Sequence, residues 1–231
     1  LTKDFNWDLN FNVTYNENTI TALTRNENPD FLGVLTGDVG GGTGSFGQIH
    51  STNYPRSTFF LYQQVYDENN KPLEGVFVDQ NNDGVISELD RYRSSNPDPN
   101  YFFGFSSQMS YKKFDFGFVM RSNIGNYVFN NVQSTSSSYA SMTGAGNVIF
   151  NLNSNVLNSG FSSLTRRDQI LLSDYFVENA SFLKMDNVSF GYDLTSLFKT
   201  TKLQANLGFV VQNVFTVTNY TGLDPEIQGG I

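Results

Sequence analysis

Residues 5–15 alternate strictly between apolar and polar side chains. Phe5, Trp7, Leu9, Phe11, Val13 and Tyr15 are apolar, and the residues between them are Asn, Asp or Thr. Because side chains in a strand point alternately to its two faces, this pattern predicts a strand with one apolar and one polar face. A strand of this length, at about 3.4 Å per residue and a tilt of about 40°, covers roughly 28 Å along a membrane normal, enough for the ~25 Å apolar band of an outer-membrane barrel. The pattern raises the question of which solvent the apolar face meets.

Similar patterns recur along the chain and predict more strands. The candidates are Ile20–Leu23, 57–66, 101–111, 114–122, 181–193 and 201–213. Residues 101–111 and 114–122 predict a hairpin with a short polar turn at Lys112-Lys113. Within 181–193 the apolar residues change from one set of alternate positions to the other, which predicts a β-bulge near Asp186 and Asn187. Only 164–172 has the character of a short helix.

The connections between these strands differ greatly in length. Some take two to five residues, whereas 24–56 is a long Gly- and Asn-rich connection and 131–175 a long Ser- and Asn-rich one. Long loops without structure are unusual in compact soluble domains, while short turns at one end and long loops at the other are typical of outer-membrane barrels. The spacing therefore favours a membrane barrel over a soluble β-sandwich.

The amino-acid composition excludes several classes of function. Charged residues make up 16% of the 231 residues and aromatic residues 15%, which suits a barrel with a lipid-facing side and a hydrated lumen, but also a secreted β-sandwich. The net charge of −8 and the absence of a basic patch argue against nucleic-acid binding. Cysteine is absent, which excludes disulfides and thiolate chemistry. No apolar run is long enough for a transmembrane helix, and the first residues do not form a signal peptide.

One segment has the spacing of a calcium loop. Residues 79–90, DQNNDGVISELD, match D-x-[DN]-x-[DN]-G with an acidic residue at position twelve. The predicted ligands are Asp79, Asn81, Asp83, the Val85 carbonyl and Asp90, with Ile86 packing inward. Because Asp is shorter than Glu at the last position, the affinity would be modest. The alternative is an Asx-rich turn that binds no ion.

The remaining motifs give little information about function. The G-x-G-x-x-G match at 42–47 has no βαβ unit around it and predicts a flexible loop. His50 is the only histidine, so a catalytic or zinc site is not expected. If the loops bind sugar, rings such as Tyr54, Phe59 or Tyr139 are candidates to stack on it.

Two blocks near the C-terminus resemble a known family. The blocks are YFVENASFLKMDNVSFGYDL (175–194) and NVFTVTNYTGLDPE (213–226). They resemble the C-terminal barrel region of SusC/RagA-type TonB-dependent outer-membrane transporters. The matching positions are Glu178, Ser181, Phe182, Leu183, Lys184, Gly191, Tyr192, Asn213, Phe215, Thr216, Tyr220, Gly222, Asp224, Pro225 and Glu226. The acidic loop, the proline segment 97–101 and the aromatic hairpin 102–120 also resemble the family.

The resemblance implies an all-β fold, an antiparallel transmembrane β-barrel. We expect about eight strands of a 22-stranded barrel, with residues 1–231 as its C-terminal part and the plug domain and last strand missing. Predicted lipid-facing residues are Phe5, Trp7, Leu9, Phe11, Val13, Leu203, Leu207 and Phe209. It also implies import of oligosaccharides or peptides across the bacterial outer membrane. The implied partners are TonB-ExbB-ExbD, acting through the plug, and a SusD-like surface lipoprotein. No enzymatic activity and no required cofactor are expected.

Three alternatives remain open. The chain could form a small adhesive outer-membrane barrel, which a plug domain in the full reading frame would exclude. It could belong to a TonB-dependent siderophore or vitamin receptor, which a neighbouring SusD-like gene would argue against. It could also be a soluble calcium-stabilised β-sandwich that binds glycans, which detergent-free solubility of the whole protein would favour.

Overall fold

The computed structural model describes residues 4–26, 28, 30–39, 45–136, 154–157, 161, 168–198 and 203–226. The chain divides into two compact units. One comprises Leu1–Asn16, Pro99–Gly125 and Ser181–Asn219, and the other, here called the loop unit, comprises Glu17–Asp98, Asn126–Ala180 and Tyr220–Ile231. Among the described residues, no helix has both the length and the apolar character needed to cross a membrane.

The first unit is a five-stranded antiparallel sheet. Its strands, numbered in chain order over the whole chain, are β1 (Phe5–Tyr15), β8 (Tyr101–Tyr111), β9 (Phe114–Ile124), β12 (Phe182–Asp193) and β13 (Asn206–Thr218), and they lie side by side in that order. Each has 11 to 13 residues, about twice the length usual in globular proteins. The β8–β9 turn is tight because Lys112 adopts a positive φ of 54°, as two-residue hairpins require.

The loop unit contains the shorter strands. They are β2 (Val34–Asp38), β3 (Phe46–His50), β4 (Thr58–Tyr62), β5 (Gln64–Tyr66), β6 (Pro72–Phe77), β7 (Arg91–Arg93), β10 (Tyr127–Phe129) and β11 (Val177–Asn179). They form a four-stranded sheet in the order β2-β3-β4-β7 and two ribbons, β5-β6 and β10-β11. The helices among the described residues are α1 (Asn131–Ser136), α2 (Asp168–Leu171) and 3₁₀ turns at Glu88–Asp90, Ser154–Leu157 and Asp174–Phe176. A further 3₁₀ turn, Thr195–Leu197, belongs to the first unit.

A compact apolar core holds the loop unit together. Its fully buried side chains include Phe59, Leu61 and Phe176. They pack with Val39, Tyr62, Phe77, Phe129, Phe161, Ile170 and Leu171. Because Thr58–Tyr62 is buried on both faces, this segment belongs to the interior of a folded unit and does not have one solvated face.

The connections are asymmetric, as expected. At one end of each strand of the five-stranded sheet, the chain continues into the loop unit. These ends carry Tyr15 of β1, Tyr101 of β8, Ile124 of β9, Phe182 of β12 and Thr218 of β13. At the opposite ends, β8 turns directly into β9, and residues 194–205 join β12 to β13. The connections 16–100 and 125–181, at the ends that join the loop unit, are therefore much longer than those at the opposite ends.

Several sequence predictions require correction. Residues 57–66 are not one long strand but β4 and β5 of the loop unit, and Ile20–Leu23 is not a strand. The last strand spans Asn206–Thr218 and not 201–213, so Leu203 precedes it. Among the described residues, the five-stranded sheet contains five of the thirteen strands. The 24–56 connection contains β2 and β3, and it is therefore not an unstructured loop.

Other predictions lie partly outside the described residues. The predicted helix 164–172 is described only from residue 168, where α2 confirms it. In the glycine-rich match 42–47, residues 42–44 lie outside the described part, and Phe46 and Gly47 belong to β3. Tyr139 is also outside it.

Candidate functional site: the two faces of the five-stranded sheet

One face of the five-stranded sheet is apolar across all five strands. Strand pairing aligns its side chains in rows, because alternate residues of each strand point to the same side. The row nearest the β8–β9 turn is Phe5, Tyr111, Phe114, Tyr192 and Leu207, and the next is Trp7, Met109, Phe116, Phe190 and Phe209. At the other end Tyr15 pairs with Tyr101, with ring centroids 5.1 Å apart. The apolar face is thus bordered at both ends by aromatic residues.

This apolar face is open in the described part of the chain. Phe11 keeps 66% of its surface exposed and Phe209 keeps 69%. An exposed apolar surface spanning five strands is far larger than the patches found on soluble monomers. The residues predicted to face lipid in β1 all lie on this face, together with Leu207 and Phe209 of β13.

The two serine hydroxyls on the apolar face, Ser107 and Ser122, have hydrogen-bond partners within the sheet. The Trp7 indole Nε1–H donates to Ser107 Oγ at 3.0 Å, and Ser122 Oγ donates to the Phe182 carbonyl at 2.6 Å. A hydroxyl group without a partner would be costly in an apolar solvent. These two hydrogen bonds make the face compatible with removal from water.

The opposite face is polar and partly lined by small residues. Four of its rows are Asn6, Ser110, Asp115, Gly191 and Gly208; Asp8, Gln108, Gly117, Ser189 and Val210; Asn10, Ser106, Val119, Asn187 and Gln212; and Asn12, Gly104, Arg121, Lys184 and Thr216. The fifth row is Thr14, Phe102, Asn123, Phe182 and Thr218, which includes two phenylalanines. A Cβ at Gly117 would overlap the Gln108 amide. Glycine at that position therefore allows the long amide side chain of the neighbouring strand to lie flat on the sheet.

An ion pair lies on the polar face where the strand register changes. Arg121 Nε is 2.9 Å from Asp186 Oδ2. The interval from Phe118 to Met120 on β9 is matched on β12 by Met185 to Val188 and on β13 by Val211 to Phe215. β12 therefore has one residue more than β9 in this interval and β13 has two more. Asn213 adopts a positive φ of 52° there, so the predicted bulge is confirmed and a second one follows it.

The acidic loop 79–90 folds as a network of carboxylate–backbone hydrogen bonds. Asp79 accepts from the N–H groups of Asn82 and Gly84 at 2.7 and 2.8 Å. Asp90, which is buried, accepts from Gln80 and Ser87 at 2.9 and 2.7 Å. These bonds, that from Ser87 foremost, hold the pKa of Asp90 below its usual range.

Three features bear on the predicted calcium site. Ile86 packs against the core of the loop unit, as predicted. The Asx-turn bonds already occupy the carboxylates of Asp79, Asp83 and Asp90. Within the described ranges no three acidic, histidine or cysteine side chains converge as a metal site would require. The geometry accounts for the loop as an Asx-rich turn, and calcium binding stays a prediction.

Known proteins are similar to this chain over its whole length. The TonB-dependent receptor SusC of Bacteroides thetaiotaomicron is 40% identical over 237 residues, which cover 100% of this chain and 23% of that protein. Over its whole length the chain therefore matches part of a SusC/RagA-type TonB-dependent receptor. The TonB-dependent receptor P3 of Formosa agariphila is 28% identical over 97% of the chain and 23% of its own length. No protein-family model matches.

Solved structures agree on the fold. The RagAB peptide transporter superposes with a TM-score of 0.72 at 22% identity, over 100% of this chain and 25% of that one. The RagAB peptide importer in the closed-closed state gives 0.70 at 23% identity, over 100% and 26%. The chain thus spans about a quarter of the length of these SusC/RagA-type proteins. These relatives are named as receptors and transporters, which agrees with the expectation of no enzymatic activity.

The motif that carries the resemblance to SusC/RagA-type receptors fastens one segment of the loop unit. Glu178 Oε2 accepts from the Thr221 N–H at 2.7 Å, and its Oε1 accepts from Thr221 Oγ1 and Asn130 Nδ2, both at 2.8 Å. A Cβ at Gly222 would overlap the ring of Tyr220, which is buried. The Glu, Tyr and Gly of the motif therefore fix the segment after β13 against β10 and β11. Sequence reasoning found these residues but not their role.

A second polar cluster was not predicted from the sequence. Asp174 Oδ1 accepts from the Gln64 N–H at 2.9 Å, and Asp174 Oδ2 accepts from the Tyr92 hydroxyl at 2.6 Å. Burial raises the pKa of Asp174, and it also raises the pKa of Tyr66 to about 12, with Asp174 adding to the effect. The partners are separated by more than 80 residues in the chain, so no local pattern reveals them.

The remaining predicted residues take ordinary positions. His50 Nδ1 accepts from the Ser57 N–H at 3.0 Å and has a structural role. Of the rings suggested for stacking on sugar, Phe59 is fully buried, so that suggestion is wrong, whereas Tyr54 is 40% exposed.

Proposed function

We propose that this chain forms part of the transmembrane barrel and the external loops of an outer-membrane importer. In this proposal the apolar face of the five-stranded sheet contacts lipid and the polar face lines the lumen. The register-aligned apolar face with its aromatic borders is the observation that supports it, because outer-membrane barrels carry an apolar band of about 25 Å between two aromatic girdles. Phe5, Trp7, Leu9, Phe11, Val13, Leu207 and Phe209 are the proposed lipid contacts, and Leu203 would lie at the border.

We also propose that the whole protein imports oligosaccharides or peptides with energy from the TonB system. The support is its match to part of a SusC/RagA-type receptor and the name of the solved RagAB peptide transporter. By the same analogy a SusD-like lipoprotein would close over the external loops. The loop unit would then supply surface to the cargo, the lipoprotein or both.

The absence of cysteine allows a direct test of the two faces. Asn10→Cys and Phe11→Cys are matched variants at neighbouring positions on opposite faces. The full-length protein in intact outer membranes is treated with a water-soluble maleimide. We expect labelling at position 10 through the hydrated lumen and protection at position 11 by lipid. Equal labelling at both positions would contradict the proposed orientation.

Import itself requires a separate test. Cells that depend on this transporter for uptake of a glycan or peptide should lose that uptake when TonB is deleted. Growth unaffected by deletion of TonB would overturn energised import. Co-purification of a lipoprotein encoded next to the transporter gene tests the partner.

A further inference from the structure

Two arginines of the loop unit lie against one aromatic ring. Arg91 and Arg93 are two residues apart on β7 and therefore point to the same side of the strand. The guanidinium carbon of Arg91 is 4.5 Å from the centroid of the Phe60 ring, and that of Arg93 is 5.4 Å from the same centroid. Two positive charges are thus held close together in a protein whose net charge is −8.

The hydrogen-bond acceptors of both arginines are neutral. Arg91 donates to the carbonyls of Phe60 and Phe46. Arg93 Nε donates to Ser51 Oγ at 2.9 Å, and its Nη2 donates to the Leu32 carbonyl at 2.7 Å. Among the described residues, the ion pairs are Arg56–Asp98 and Arg121–Asp186, so no described carboxylate pairs with Arg91 or Arg93.

The two arginines differ in their access to solvent. Arg91 is buried, and burial lowers its pKa despite the opposing influence of Tyr62 and Glu88. Buried charges are normally compensated by an opposite charge. Arg93 is partly exposed, so an anion from solvent could reach it and offset the positive charge of the pair.

An exposed aromatic ring flanks Arg93. The Arg93 guanidinium carbon is 5.0 Å from the centroid of Tyr54, and Tyr54 is 40% exposed. A guanidinium binds a carboxylate through parallel N–H groups, and a neighbouring tyrosine offers an apolar surface with a polar tip. A sugar ring that bears a carboxylate matches this combination, because it has an apolar C–H face as well as the anion.

We propose that Arg93 and Tyr54 form a binding site for the carboxylate-bearing residue of an acidic oligosaccharide. Arg93 contacts the carboxylate through the N–H groups that Ser51 and the Leu32 carbonyl leave unused. Tyr54 contacts the sugar ring, and the buried Arg91 adds to the positive potential. The meaning of this site for cargo selection rests on the proposed import function, but its binding chemistry does not.

The test is isothermal titration of the full-length transporter in detergent with tetragalacturonate. We expect Arg93→Gln to weaken binding by about tenfold or more, since hydrogen bonds to charged groups are strong. Arg25→Gln is the matched control, because it removes the same charge from an exposed position of the loop unit. Neutral maltotetraose should bind much more weakly than tetragalacturonate.

Further variants protect the test against a folding artefact. If Arg93→Gln disturbs the Leu32 and Ser51 contacts, Arg93→Lys keeps the charge but loses the planar fork and should still weaken binding measurably. Equal affinity of Arg93→Gln and Arg25→Gln, or binding of tetraglutamate without tetragalacturonate, would overturn the proposal. Because titration needs no energised transport, an uptake assay that shows no dependence on TonB would reject the import function and leave the binding result intact.

Discussion

Arginine substitutions at neighbouring positions of β1 should distinguish the two faces of the sheet energetically. Phe11 lies four residues from Tyr15 and six from Phe5. In the proposed orientation, at about 3.4 Å per residue and a tilt of about 40°, it would lie about 10 Å from one aromatic border and about 16 Å from the other, close to the bilayer midplane. Arginine facing lipid at that depth costs about 2–4 kcal/mol.

The expected result is therefore a large effect at one position and a small one next to it. Phe11→Arg should reduce the free energy of unfolding by about 2–4 kcal/mol. Asn10→Arg, on the polar face, should change it by no more than about 0.5 kcal/mol. Phe5→Arg, in the aromatic border, should cost about 0–1 kcal/mol, because the penalty falls off toward the interface.

The measurement is denaturant unfolding of the full-length protein in lipid vesicles. The midpoints of the three variants are compared at unchanged denaturant slopes, so that differences report stability and not altered compactness. Equal destabilisation at positions 10 and 11, or a larger loss at position 10, would refute the assignment of the apolar face to lipid.

Three further predictions concern the loop unit. Glu178→Gln should destabilise the segment after β13 by about 1.5–3 kcal/mol, because charge-assisted hydrogen bonds are lost. Hydrogen exchange of the Thr221 amide measures this, with the exposed Glu68→Gln as control. Unchanged protection of that amide would show that Glu178 does not fix this segment. Burial raises the pKa of Asp174, so its contribution to stability is greatest below its unfolded pKa of about 3.9 and is lost as pH rises through the folded value. The unfolding free energy of the wild type relative to Asp174→Asn should therefore fall as the pH rises above about 4, and a flat or rising difference would contradict this prediction. Calcium should raise the melting temperature of the wild type but not that of Asp79→Ala. Asp67→Ala, which removes the carboxylate of another Asx turn, is the control and should respond like the wild type. If calcium does not change the melting temperature of the wild type, residues 79–90 form a turn that binds no ion.

The sequence predicts the five-stranded sheet well where alternation is regular. β1 matches residues 5–15 as predicted, and the hairpin of β8 and β9 differs only at the end of β9. The change of alternate positions in β12 reveals its bulge. The bulge in β13 leaves no such signal in the sequence. Because β13 has two extra residues there, Val211 and Phe215 still lie on the same face, as in a regular alternating strand.

The loop unit was less predictable for physical reasons. The run Phe59-Phe60-Leu61-Tyr62 is apolar at every position, which indicates a strand buried on both faces and not a barrel strand. Contacts such as Gln64–Asp174 and Glu178–Thr221 join distant segments. Such contacts depend on tertiary packing, and periodicity within a short window carries no information about them.

The paired irregularities at Asp186 and Asn213 have a consequence for closure of a cylinder. Between Val211 and Phe215, β13 has two residues more than the matching part of β9. At about 3.4 Å per residue, this shifts the alignment of β13 relative to β9 by about 7 Å. Strands in a closed barrel must be staggered by a fixed shear, and this stagger sets the tilt and the radius of the pore. A local insertion of this kind supplies stagger without lengthening the turns, so these two positions would help to determine how wide the channel is.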